Sequence, residues 1–71
     1  MNDYRVIIGS PIDYEEVTAD ILLKNKYIAR LQMENGKDKM VLEFFEETAL
    51  KKVDLNDFLA AIEYAKELLL K

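Results

Sequence analysis

From Tyr4 to Phe45 apolar residues fall mainly at every second position, the period of a half-buried β-strand. Tyr4 to Ile8 reads as a first strand, stopped by Gly9-Ser10-Pro11. The next stretch, SPIDYEEVTADILLKN at 10–25, fits two patterns. Ser10 as N-cap, Pro11 at the first helical position and acids in the first turn suit a helix. A turn through Asp13-Tyr14-Glu15 followed by a strand also fits, with Val17, Ala19, Ile21 and Leu23 on one face and Thr18, Asp20 and Leu22 on the other. The alternation continues with Tyr27, Ala29, Leu31 and Met33, and again with Met40, Leu42 and Phe44.

Register favours the strand. Directly opposed residues of an antiparallel pair share a face, so a turn must bring the apolar sets together. Asn35-Gly36 as a two-residue type I′ turn predicts the pairs Glu34–Lys37, Leu31–Met40, Ala29–Leu42 and Tyr27–Phe44, with Met33 facing Asp38 at the rim. A three-residue loop Lys24-Asn25-Lys26 then predicts Leu23–Tyr27, Ile21–Ala29, Ala19–Leu31 and Val17–Met33, and on the other face Asp20–Arg30 and Leu22–Ile28. A helical segment has no reason to produce this agreement. A helical turn is still allowed at 12–16.

The period changes to that of a helix after Val53. Asp54 is the expected N-cap, with Val53 and Phe58 placed for a hydrophobic staple. Leu55, Phe58, Leu59, Ile62, Ala65 and Leu69 form one stripe, widened by Ala61 and Leu68, and Glu63–Lys66 and Glu67–Lys71 are placed as surface pairs. The expected fold is α+β: a four-stranded antiparallel β-meander with one C-terminal α-helix packed on one face (ββββα), a single domain over residues 1–71.

Composition narrows the chemistry. The chain has 71 residues, too few for a large core, and it has neither cysteine nor histidine. Disulfides, thiolate metal sites and imidazole general bases are excluded, which leaves oligomerisation as the usual remedy for marginal stability. Asp13, Glu15, Glu16, Glu46 and Glu47 lack the spacing of a calcium loop and read as solvated acids beside turns. Ser10, the only serine, has no histidine to activate it. Lys37 and Lys39 have nothing to lower their pKa, and Gly36 belongs to a turn rather than a phosphate cradle. No catalytic, cofactor-binding or metal-binding residue is assigned, and the expectation is a protein that is not an enzyme. The net charge of −4 disfavours nucleic acid as a partner. With no signal-peptide core and no long apolar run, the sequence reads as cytoplasmic and without a membrane partner.

The Gly9-Ser10-Pro11-Ile12-Asp13-Tyr14-Glu15-Glu16 opening, a hairpin turn at Asn25-Lys26, the Gln32-Met33-Glu34-Asn35-Gly36 turn and the Leu55-Asn56-Asp57-Phe58-Leu59 helix start together resemble a family of small bacterial proteins whose function is not established. The likeness covers nearly the whole chain. Asn25 departs from it, standing where glycine is expected. The resemblance implies a bacterial source and supports the hairpin reading, but it brings no activity. The order of four strands and a helix is also similar, by architecture alone, to the whirly-type single-stranded-DNA-binding coactivators.

The remaining signal is an apolar excess on the sheet face turned away from the helix. There Thr18, Asp20, Arg30, Gln32 and Glu43 are polar, whereas Ile7, Leu22, Ile28, Val41 and Phe45 are not. Tyr64 lies outside the main helix stripe and Leu68 at its margin. These seven apolar and aromatic residues are the candidate interface. The expected function is a non-enzymatic protein–protein interaction module, forming a homodimer or meeting a basic protein, as an immunity- or antitoxin-like acidic inhibitor would. The alternative is a single-stranded nucleic-acid binder of whirly-like architecture.

Overall fold

The computed structural model describes residues 3–46 and 51–71. Four strands, β1 (Tyr4–Gly9), β2 (Thr18–Leu23), β3 (Lys26–Gln32) and β4 (Val41–Phe44), form one antiparallel sheet in the order β1-β2-β3-β4, and a single helix, α1 (Leu55–Leu69), packs on one face. This is the ββββα meander expected from the alternation. Residues 12–16 form turns rather than a helix, opened by Tyr14 N–H donating to the Pro11 carbonyl at 3.1 Å.

The β2–β3 register is as expected in its centre, with Ala19 opposite Leu31, Asp20 opposite Arg30 and Ile21 opposite Ala29. The turn is not. Leu23 pairs with Lys26, so the loop is only Lys24-Asn25, both at positive φ (52° and 68°), as a type I′ turn requires. A two-residue loop would set the strands one residue out of the central register. The difference is absorbed by a β-bulge, in which Leu22 faces Tyr27 and Ile28 is the extra residue. The bulge corrects two expectations. Tyr27, expected in the core, is half exposed, and its ring meets Phe45 edge-on at 5.7 Å. Ile28, expected opposite Leu22, joins the buried cluster with Ile21 and Ala29. The exchange places an aliphatic side chain in the core and leaves the phenol hydroxyl access to water.

The β3–β4 connection also differs from its expectation. Ala29 pairs with Phe44, Leu31 with Leu42 and Gln32 with Val41, two residues away from the expected register. Asn35-Gly36 is not a type I′ turn, because Gly36 is at φ 112° while Asn35 is not at positive φ. Two successive turns carry the chain, with Gly36 N–H donating to Met33 O and Lys39 N–H to Gly36 O. A shift of two residues keeps every side chain on its own face, so the hydrophobic pattern cannot distinguish the two registers. Glu34 decides it. Its backbone N–H donates to Gln32 Oε1, and its carboxylate accepts the N–H groups of Glu15 and Glu16 at 2.7 and 2.9 Å, drawing the chain off the ladder.

α1 begins as expected, with Asp54 accepting the N–H of Asp57 at 3.0 Å. Its contact with the sheet is built on small residues: Ala61 and Ala65 on the helix and Ala19 and Ala29 on the strands are all fully buried. Phe58, Ile62 and Leu69 flank this seam. The helix lies over β1 and β2 and touches β3 less. Leu55 and Leu59, expected in the stripe, are therefore exposed, at 66% and 50%. Val17 precedes β2 and is exposed, so its expected pairing with Met33 is not made.

The turn assignment has a direct test. Asn25→Val should cost about 1 kcal/mol more in urea denaturation than Asn35→Val, since a β-branched residue resists φ of 68°. Equal losses at the two positions would contradict the type I′ turn at Lys24-Asn25.

Candidate interaction surfaces

On the sheet face away from α1, the chain between β1 and β2 folds back across the strands. Tyr14 donates its hydroxyl to Glu43 Oε1 at 2.6 Å. Beneath it Arg30 donates from Nε and Nη2 to the two carboxylate oxygens of Asp20, at 2.6 and 3.1 Å. The same guanidinium lies 5.3 Å from the centre of the Tyr14 ring and 5.1 Å from that of Phe45. Asp20 holds Arg30 in its charged form, raising its pKa. The bond to Glu43 is the main cause that raises the Tyr14 phenol above its ordinary value, and Arg30 opposes it. Burial raises Tyr4 in the same direction, helped by the nearby charges of Asp57 and Asp54. The cluster is a closed set of hydrogen bonds and ring contacts, with its one cation already paired.

The candidate interface residues do not form one patch. Leu22 and Ile28, expected opposite each other on the surface, are buried at 5% and 3% exposure, so neither offers the exposed patch expected of it. Phe45 is half-buried against Arg30 and Tyr27, and Val41 lies at the opposite end of β4. Ile7 on β1 is exposed, as is Tyr64 on α1, with half-buried Leu68 one helical turn further on. Glu47 lies outside the described residues.

A second apolar surface was not anticipated. α1 lies over β1 and β2 and reaches β3, whose Ala29 and Leu31 are buried, but its backbone does not come close to β4, so the helix-side face of β4 is only partly covered. Phe44 is 63% exposed there, although its ring stacks on Phe58 at 6.4 Å. Leu55 and Leu59 precede Glu63 at four-residue steps along the same flank of α1, and Glu63 borders a cleft of about 320 Å³. Leu31, Met40 and Ile62 line that cleft, with Lys37, Asp38, Glu63 and Lys66 at its rim. The apolar periodicity of α1 was visible in the sequence; that Leu55 and Leu59 would stay uncovered depends on where the alanine seam seats the helix.

Among the described residues no group of three or more carboxylates comes together to hold a metal ion, and no helix is long and apolar enough to cross a membrane. No protein-family model matches the chain, and no curated protein or solved structure is significantly similar to it.

The raised phenols predict the alkaline limb of stability. The folded chain holds both phenol protons more tightly than the unfolded chain does. Their contribution is complete below the ordinary phenol value of 10.0 and is lost as pH rises through the higher folded values. Between about pH 8 and about pH 11 the native protein should lose more stability to urea than Tyr14→Phe does. Identical losses would show that the Tyr14–Glu43 bond does not form in solution.

Proposed function

We propose that the protein is a non-enzymatic protein-binding module that takes an apolar segment of a partner into the groove between α1 and the partly covered face of β4. The observation that carries this reading is the line of exposed large apolar side chains, Phe44, Leu55 and Leu59, beside the open cleft. Monomeric domains rarely leave such residues together in the absence of a partner. An amphipathic helix laid beside α1 would occupy the width that the helix leaves free, in the helix-in-groove mode of recognition. The net charge of −4 favours a basic partner through steering, which is the property of an acidic inhibitor such as an immunity protein or antitoxin. A nucleic-acid role has less support, because the cation nearest the outer aromatic residues, Arg30, is committed to Asp20.

A photo-reactive residue placed at Leu59 should crosslink a discrete partner in cells, and the same residue at Glu67, on the helix face away from the sheet, should not. The adduct should disappear when Phe44→Glu is added. Indistinguishable adducts from the two positions would overturn the groove as the binding surface.

A further inference from the structure

A different surface, the free edge of β1, carries an inference independent of the groove. Within Tyr4–Gly9 there is no lysine, no proline and no bulge, the devices that ordinarily keep an edge from pairing. Its one charge, Arg5, points along the sheet, with Nη1 3.4 Å from Asn25 Oδ1 in the β2–β3 turn. Lys24 N–H donates to the Asp3 carbonyl at 2.9 Å, so odd-numbered residues of β1 bond inward to β2. The alternation of an antiparallel ladder then turns the N–H and C=O groups of Tyr4, Val6 and Ile8 outward. Ile7 and Ile8 are exposed on the two faces of this edge.

The helix is placed to use the same edge. Ile62 and Lys66 look toward β3–β4 across the cleft, and Ala61 and Ala65 are the buried centre. At 100° per residue, Tyr64 and Leu68 fall on the opposite flank, above the β1 edge. We propose that two copies of this chain join β1 to β1 antiparallel, giving a continuous eight-stranded sheet whose two α1 helices pack across the two-fold axis through Tyr64 and Leu68. Strands lie about 4.8 Å apart, and α1 sits above β1 and β2, so the two helix axes come within about 10–12 Å. That is close to the 8–10 Å of packed helices. Pairing through the β4 edge would hold the helices about 25–30 Å apart, with no contact between them.

Register and charge agree with this arrangement. An axis at Val6 sets Tyr4 opposite Ile8 of the second copy and keeps the two Arg5 side chains apart. Tyr4 touches Phe58, at 6.3 Å between ring centres, so α1 starts above the beginning of β1. Two strand residues rise about 6.6 Å, or about four helix residues, which carries the axis from Phe58 to within half a turn of Tyr64. An axis at Tyr64 places Asp57 of one helix opposite Lys71 of the other, since each is seven residues from Tyr64. Unlike charges then meet at both ends of the helix pair.

Sedimentation of the full chain should give twice the chain mass, and Tyr64→Glu and Ile8→Lys should each return it to a monomer with an unchanged far-UV spectrum. Leu59→Lys, on the groove side, should stay dimeric. The chain has no cysteine, so Tyr64→Cys under mild oxidation should form a disulfide-linked dimer and Leu59→Cys should not. That trap decides even where the charged variants fail to fold. A monomeric native protein at high concentration overturns the proposal, as does a dimer in which Tyr64→Cys fails to crosslink. Neither result bears on crosslinking at the groove.

Discussion

One helix cannot cover a four-stranded sheet. A helix with its side chains is about 10–12 Å across, whereas four strands at about 4.8 Å spacing, with their flanking side chains, need nearly twice that width. Most features of this molecule follow from how the shortfall is divided. Four fully buried alanines, two on α1 and one each on β2 and β3, let the helix settle closely on the sheet, concentrating the dry core around Ile21 and Leu69. The strand that the helix backbone does not reach is β4. Phe44, Leu55 and Leu59 are exposed for that reason, even though each belongs to an apolar pattern of its own element. Larger residues at Ala61 or Ala65 would lift the helix and lose packing on the covered side.

The opposite face of the sheet is covered in another way. An antiparallel sheet commonly faces water on one side, yet here the segment between β1 and β2 lies across part of it. Two acids pin this segment: Glu43 through the Tyr14 hydroxyl, and Glu34 through the backbone N–H groups of Glu15 and Glu16. The β3–β4 connection therefore has a structural task. It delivers the Glu34 carboxylate to a turn that would otherwise have two N–H groups with only solvent as partner. The Asp20–Arg30 pair beneath supplies a flat cation for the Tyr14 and Phe45 rings.

The element order, the central β2–β3 register, the Asp20–Arg30 pair and the Asp54 cap were legible in the sequence, because each depends on residues close in the chain or on a period that tolerates one solution. What was missed involved degenerate solutions. Asn-Gly is a stronger local turn signal than Lys-Asn, but Lys24-Asn25 forms the type I′ turn, and the cost of two non-glycine residues at positive φ is carried by the tertiary structure. The bulge at Ile28 could not be read from alternation, since moving one residue between faces needs knowledge of both neighbouring strands. The two-residue shift of β4 is invisible to any argument based on period. Ile28 looked like a surface residue because the register was taken as unbroken, whereas Leu22 keeps its face, opposite Arg5 and Tyr27, and is buried there.

The same geometry places the two proposed binding surfaces on opposite flanks of α1. The groove borders Leu59 and the β3–β4 side, whereas the β1 edge lies under Tyr64 and Leu68. A pair of chains joined through β1 would keep both grooves, one at each outer end of the eight-stranded sheet. Such a pair is bivalent without any further contact, and a partner with two matching segments would gain from effective concentration only if its linker spanned the full sheet.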